Sequence, residues 1–243
     1  LASDPDPADV YQVYIAVDSE VLTDFMTEGD EYTRVAMRFL ERASMGRVEL
    51  QNDEATISGL VSEYFGADST ADRLKALSLI EAQHGEYAAP NFVNVIGDDR
   101  DPDRVTNAMV ALQGIGARAV QPLLAALESE NAYQRRNAVM TLGNIADPRA
   151  AAALQALATT DADDSVRAAA AAGAARCGAS GDPVALFVQL GDDYHHRRAN
   201  VLRDLDYSDV VWSWGDDQLV ASAVPRAIYN NELAKGAYYS ALA

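Results

Sequence analysis

The chain has 243 residues and a formal net charge of −18, which arises from 37 acidic and 19 basic residues. Binding to a phosphate backbone requires a basic stripe, so this charge excludes nucleic acid as the expected partner. Hydrophobic residues form 49% of the sequence, which is sufficient for an extended core. No run approaches the 18 apolar residues of a membrane-spanning helix, and we therefore expect no transmembrane segment.

The N-terminal part predicts four short or medium helices within residues 8–65. Three of these helices are predicted over the ranges Pro7–Thr27, Asp30–Ala43 and Asp53–Tyr64. We interpret residues 1–66 as a divergent N-terminal helical region or cap. The beginning of the chain is polar and acidic and differs from a signal peptide, although a secreted chain whose signal had been removed would look the same. A cytoplasmic and a periplasmic or extracellular location both stay open.

Residues 67–203 repeat one helical phrase at a nearly constant interval. Each clear copy places an arginine shortly before an alanine, and the alanines of the four copies are Ala76, Ala108, Ala138 and Ala170. Their even spacing falls within the range of known helical repeats. A unit of this length cannot bury its apolar face alone and must stack on its neighbours. The sequence therefore predicts an α-solenoid.

A second helix recurs within each unit. Pro90 and Pro122 are separated by one repeat length, and so are Arg118 and Arg149. Proline is favourable in the first turn of a helix, where its missing N–H has no helical partner. Aspartate-rich stretches supply candidate N-caps between the helices. The repeat is thus expected to be a pair of helices.

The best-preserved copy carries a recognisable sequence pattern after Arg135 and Ala138. It reads Leu142-Gly143-Asn144-Ile145-Ala146-Asp147-Pro148-Arg149-Ala150. This pattern resembles the HEAT-like repeat named after the phycobiliprotein lyases, and the resemblance covers about residues 70–193. It implies an all-α fold, a right-handed α-solenoid of antiparallel helix pairs. The lyases of that family attach bilin pigments, so the resemblance also implies an enzyme or pigment chaperone as an alternative function.

The few chemical motifs are better explained by structure than by catalysis. The single cysteine, Cys177, excludes an internal disulfide and is expected to be a small buried hydrophobe. Gly114–Ala119 matches the letters of a dinucleotide fingerprint, but it lies between two predicted helices and not after a strand. We interpret its glycines as a helix C-cap and a turn.

The spacing of the possible metal-ligating residues gives no strong indication of a metal site. The segment after Asp99 begins like a calcium loop, but Arg104 and Val110 occupy the positions of the required glycine and glutamate. His195 and His196 are adjacent on a predicted helix, so their side chains point about 100° apart. Weak calcium binding and a metal at the histidines stay as alternatives. We expect no catalytic residue, no cofactor and no metal site.

A recurring arginine near the start of each repeat has two interpretations. The residues are Arg73, Arg104, Arg135, Arg167 and Arg198. They could form a ladder that binds a partner, or they could hydrogen-bond the acidic loops and helix ends of neighbouring units, which we favour. The helices that begin near these arginines are expected to line the concave face. Residues 194–203 resemble the first helix of one more, degenerate unit.

The C-terminal part, residues 204–243, is interpreted as an aromatic-rich cap. Seven of the 18 aromatic residues lie in residues 194–243, including Trp212 and Trp214. Their spacing suggests an extended or irregular segment, and Asp216-Asp217 then forms a turn or a helix N-cap. This segment either shields the end of the solenoid or anchors a partner, because tryptophan concentrates binding energy at interfaces.

These observations favour a non-catalytic scaffold for protein–protein interaction, or an accessory subunit of a larger complex. Its partner is expected to be another protein, whose identity the sequence does not give. The speculative partner-binding residues are Trp212, Trp214 and the five arginines. The alternative is a bilin lyase-like protein or another HEAT-repeat enzyme or chaperone that handles a small molecule or metal.

Overall fold

The computed structural model describes residues 5–17, 21, 24–25, 27–202, 208 and 210–242. The chain forms two compact units, Leu1–Ile57 and Ser58–Ala243. The second unit contains the predicted repeats.

The first unit is built mainly from helices α1 (Pro7–Ala16) and α2 (Asp30–Gln51), which pack against each other. Asp6 caps α1 by accepting a hydrogen bond from the Ala8 N–H at 2.9 Å. Gly46 permits the close packing, because a Cβ there would lie 1.8 Å from the Pro7 carbonyl oxygen. Most of residues 18–26, which belong to the predicted first helix, lie outside the described residues. Helix α2 extends past the predicted end at Ala43 to Gln51.

Helix α3 (Glu54–Gly66) precedes four helix pairs in residues 70–195. The pairs are α4 (Thr70–Gln83) with α5 (Ala89–Ile96), α6 (Pro102–Ile115) with α7 (Val120–Ala125), α8 (Ala132–Ile145) with α9 (Ala151–Thr160), and α10 (Asp164–Arg176) with α11 (Pro183–His195).

The pairs stack in chain order as two layers of helices. The first helices contact one another in the order α4, α6, α8 and α10, while α5 packs on α7 and α9 packs on α11. Fully buried side chains from both layers form the core, among them Ile80, Phe92, Leu112, Leu123, Leu142 and Leu154. The predicted all-α solenoid of HEAT-like helix pairs is confirmed.

Gly116 separates α6 from α7 and takes the predicted role of a C-cap, with a φ of 66° that favours glycine. In the described part of the chain, the stretch Pro102–Glu128 has the length and the apolar composition of a helix that could cross a membrane. More than half of the most apolar part of this stretch is buried, and the stretch contains both helices of one repeat. It is therefore explained as solenoid core.

One expectation for the C-terminal part needs correction, and the extended alternative for the aromatic segment is confirmed. The predicted helical start within residues 194–203 is wrong beyond His195, because residues 196–202 form turns. The aromatic segment is a strand, β1 (Val210–Gly215), which pairs antiparallel with β2 (Gln218–Ala223). Asp216 and Asp217 have φ values of 50° and 58° and form the hairpin turn, so the turn alternative holds and the N-cap alternative does not. Helix α12 (Tyr229–Leu242) follows.

Candidate functional site

A groove of about 540 Å³ lies between the repeats and the C-terminal segment. Its floor comes from α7, α9 and α11, and its walls come from β1 and α12. Most of the lining is apolar, and the larger apolar side chains are Leu124, Leu127, Leu157, Phe187, Leu190, Val211, Trp212, Leu233 and Tyr239. This volume lies within the roughly 300–1,000 Å³ typical of small-molecule sites.

The hairpin wall is attached to the repeats through Glu86, which lies in the 3-10 turn Gly85–Ala88 before α5. The Glu86 Oε2 atom accepts a hydrogen bond from Trp212 Nε1 at 2.9 Å, and its Oε1 accepts one from the hydroxyl of Ser208. The Tyr87 ring makes an edge contact with the indole, with ring centroids 6.4 Å apart. These contacts fix Trp212 at the groove.

Burial raises the pKa of the Glu86 carboxyl above its ordinary value. The hydrogen bonds from Ser208 and Trp212, together with the positive charges of Arg118 and Arg149, act in the opposite direction and stabilise the carboxylate. The desolvation of the charged form is the larger effect. Glu86 therefore favours protonation more than an exposed glutamate does.

The α12 wall packs on α11 through a second buried cluster. Tyr194, Leu202, Tyr229 and Leu233 belong to this cluster. The Tyr238 hydroxyl donates a hydrogen bond to Asp192 Oδ1 at 2.7 Å beside it. The C-terminal helix is thus attached by apolar packing as well as by a hydrogen bond.

The polar groups of the groove floor are largely engaged with other protein groups. Gln121 donates a hydrogen bond from Nε2 to the Tyr194 hydroxyl at 2.9 Å. Arg149 donates to both carboxylate oxygens of Asp147 at 2.8 Å and to the Ala117 carbonyl at 2.7 Å. Its side chain is only 5% exposed. The floor therefore offers mainly apolar contact with few polar groups, which is the usual composition of a ligand site.

The predicted arginine ladder makes contacts inside the repeats. Arg73, Arg135 and Arg167 each donate a hydrogen bond to the carbonyl six positions earlier, at 3.4, 2.9 and 2.6 Å. Arg135 also binds both oxygens of Asp161, in the loop before α10. Such contacts fit the structural interpretation of these residues.

The remaining arginines of the ladder differ from this pattern. Arg104 lies 4.1 Å from the centroid of the Phe65 ring, in cation–π geometry. Arg198 lies in a turn and pairs with Asp193 at 3.2 Å. The groove lining includes none of the five arginines, because it comes from the second helices of the pairs. These arginines therefore do not contact this groove, and the expectation that their helices line the concave face stays a prediction.

The other sequence-selected residues lie apart from one another. Trp212 lines the groove, whereas Trp214 is paired with Leu219 in the hairpin and is not a lining residue. Cys177 is 5% exposed, as predicted for a buried hydrophobe. Asp98 binds Arg100, and Asp101 caps α6. Within the described ranges, no group of three or more His, Cys, Asp or Glu residues could hold a metal ion.

Sequence reasoning missed Glu86 as a site residue. A signal for its position exists, because Ala88, Ala119 and Ala150 are each fully buried and recur once per repeat before the second helices. The residues that directly precede these alanines are Tyr87, Arg118 and Arg149. These equivalent positions of successive repeats form a row of side chains near the hairpin. Glu86 precedes the row by one position, and only the fold brings Trp212 to it.

Residues 89–175 match the family model for HEAT repeats. The chain is also similar to the phycocyanin alpha phycocyanobilin lyase CpcF of Synechocystis sp., with 35% identity over 117 residues. This alignment covers 48% of the present chain and 54% of the cyanobacterial protein, so it spans about half the length of each. The predicted resemblance to HEAT-like repeats of the lyase type is confirmed.

The same similarity corrects the functional expectation. A non-catalytic scaffold and a chain without enzymatic activity were expected, but the relative is named as a lyase that acts on phycocyanobilin. The error came from treating the repeat as scaffold alone, since the groove could not be read from the repeat pattern. The finding favours the alternative, a bilin lyase-like protein.

Proposed function

We propose that this chain is a bilin lyase-like protein that binds an open-chain tetrapyrrole in the groove and presents it to an acceptor protein. The observation that carries the proposal is the apolar groove of about 540 Å³ formed by α7, α9, α11 and the C-terminal segment. It is supported by the 35% identity to a phycocyanobilin lyase over about half of each chain. The acceptor is proposed to be a phycobiliprotein subunit.

The groove suits the conjugated part of a bilin better than its carboxylates. Leu157, Phe187 and Trp212 provide apolar and aromatic surface for flat rings. Among the described residues of the lining, Arg149 alone is basic, and it is already bonded to Asp147 and the Ala117 carbonyl. The propionates of a bound bilin are therefore expected to face solvent at the open side of the groove.

Covalent attachment is expected on the acceptor and not on this chain. A thiol of the acceptor would add to an unsaturated carbon of the bilin, forming a carbon–sulfur bond while the thiol proton moves to the adjacent carbon. This addition needs no oxidant or reductant. The single cysteine of the present chain cannot serve as the nucleophile, because Cys177 is buried and its pKa is raised to about 11.

A transfer reaction tests the proposal. The full chain is mixed with phycocyanobilin and the alpha subunit of phycocyanin without its pigment, and the products are separated under denaturing conditions. Zinc-enhanced bilin fluorescence is then recorded for each band. The proposal predicts faster pigment attachment to the alpha subunit than in a reaction without this chain, and no pigment on the chain itself.

Two tryptophan insertions provide matched variants for this test. Ala156→Trp fills the groove from α9, whereas Ala171→Trp places the same side chain on an exposed position of α10. Attachment should fall with Ala156→Trp and persist with Ala171→Trp. Equal attachment with and without the chain, or equal effects of both variants, would contradict the proposal.

A further inference from the structure

Glu86 bonds two residues at the beginning of the hairpin wall. Ser208 and Trp212 lie 122 and 126 residues further along the chain, and both donate to the Glu86 carboxylate. Ser208 also accepts a hydrogen bond from the Val210 N–H at 3.2 Å, where β1 begins. A single carboxylate therefore fixes both the start of β1 and the indole that follows it.

The indole of Trp212 is oriented by groups from the repeats. Its Nε1–H points to Glu86, and Tyr87 meets it edge to face at an interplanar angle of 66°. Trp212 itself lines the groove, whereas Glu86 is not among the lining residues. Glu86 can therefore influence a ligand in the groove only indirectly, and its hydrogen bond to Trp212 is its direct contact with the lining.

We propose that Glu86 is a positioning residue that holds the Trp212 indole in the orientation required to stack on a flat conjugated ligand. This inference rests on the proposed function, since the ligand is taken to be a bilin. Aromatic groups prefer offset-stacked or edge-to-face geometries, so a ring that is free to rotate gives a weaker and less defined contact. The optical activity of a bound bilin should therefore depend on Glu86.

A single-tryptophan protein makes this dependence measurable. The chain has two tryptophans, so Trp214→Phe leaves Trp212 as the only indole. Phycocyanobilin is titrated into this parent, and the quenching of Trp212 fluorescence and the visible circular dichroism of the pigment are recorded. Glu86→Gln retains an acceptor for Nε1–H, and Glu86→Ala removes it. Tyr64→Phe is the control, because it removes a 2.8 Å hydrogen bond to the Asn107 carbonyl at residues that do not line the groove.

The expected result separates positioning from stability. Glu86→Ala weakens binding by about tenfold, the usual effect of one lost hydrogen bond to a charged group, and changes the visible circular dichroism. Glu86→Gln and Tyr64→Phe retain the spectrum of the parent. A Glu86→Ala chain that has lost its helical far-ultraviolet signal is not folded and gives no test of binding. In that case the variant Trp212→Phe, made in the chain that keeps Trp214, is used instead. Phenylalanine keeps an aromatic ring but lacks the N–H that donates to Glu86.

Two negative outcomes differ in meaning. In the first, the parent binds phycocyanobilin with the same affinity and spectrum as the tested variant, Glu86→Ala or Trp212→Phe. This result overturns the positioning role and leaves the proposed function intact. A parent that binds no phycocyanobilin overturns both.

Discussion

Trp212 Nε1 donates a 2.9 Å hydrogen bond to Glu86 Oε2, and this contact joins the C-terminal hairpin to the 3-10 turn before α5. The Glu86 carboxyl has a raised pKa, so its charged form is less favourable in the folded state than in the unfolded chain. Between the ordinary and the raised pKa, the folded state binds more protons, and stability falls as the pH rises. The burial of Glu86 therefore makes the fold sensitive to pH, and the hydrogen bond from Trp212 moderates this effect.

Glu86→Gln should remove this sensitivity, because an amide can accept from Trp212 and donate to Ser208 without carrying a charge. Its melting temperature should equal or exceed that of the unmodified chain at pH 8, with a smaller difference at pH 4.5. Glu86→Ala should be less stable at both pH values, by about 2 kcal/mol, because two donors lose their acceptor. Thermal unfolding, monitored by circular dichroism at each pH, measures the stability of both variants. A lower stability of Glu86→Gln at pH 8 would contradict the raised pKa.

The pair of Arg135 and Asp161 should contribute strongly to stability. Its side chains are 14% and 3% exposed, and removing one member leaves the other charge buried without its partner. Arg135→Ala is expected to cost about 3 kcal/mol in the free energy of unfolding. The exposed pair of Arg100 and Asp98 is the control, because Arg100 is 84% exposed and surface pairs contribute little. Chemical denaturation of both alanine variants distinguishes the cases, and equal losses would disprove the difference.

The pH dependence of the Arg135 pair follows from the Asp161 carboxylate. The hydrogen bonds from Arg135 lower the pKa of Asp161. The stabilisation is therefore complete above the ordinary aspartate pKa of about 4 and is lost as the pH falls through the lowered value. Arg135→Ala should reduce the stability difference between pH 6 and pH 3. An unchanged difference would show that Asp161 is not held by Arg135.

Two first helices approach each other closely at Gly143 in α8 and Gly173 in α10. A Cβ on Gly143 would lie 2.8 Å from the Gly173 Cα, and backbone atoms cannot move aside as a flexible side chain can. Gly143→Ala should therefore destabilise the fold by about 1–3 kcal/mol. Gly59→Ala in α3 is the control, since its Cβ meets nothing within 4 Å and alanine has the higher helix propensity. Equal stability of the two variants would be inconsistent with this helix contact.

Cys177 should be chemically unreactive in the folded protein. The thiol is buried, and burial is the main cause that raises its pKa to about 11, so little thiolate forms at pH 8. A coloured disulfide reagent should modify the native thiol at least about 100-fold more slowly than the thiol of the denatured chain. Modification at similar rates would show that the C-terminal end of α10, which Cys177 caps, opens readily.

The local repeats were predictable because they depend on short-range spacing. Ala108, Ala138 and Ala170 are fully buried, as expected for positions where helices approach closely. The groove was not predictable, because one of its walls, β1, is held to the repeats by the bond of Trp212 to Glu86, 126 residues earlier in the chain. The extended segment and its turn were expected, but the strand β2 that pairs with the segment was not. Two short strands with one buried residue in β2, Leu219, give a weak alternating pattern.

The most direct test of the central claim is an equilibrium titration of phycocyanobilin with the purified full chain. The absorption of the pigment should change and saturate at one bilin per chain, because one groove of suitable volume is proposed to hold it. Ala156→Trp should abolish the change and Ala171→Trp should preserve it. A pigment spectrum identical to that in buffer, or a change that survives Ala156→Trp, would contradict the assignment of bilin binding to this groove.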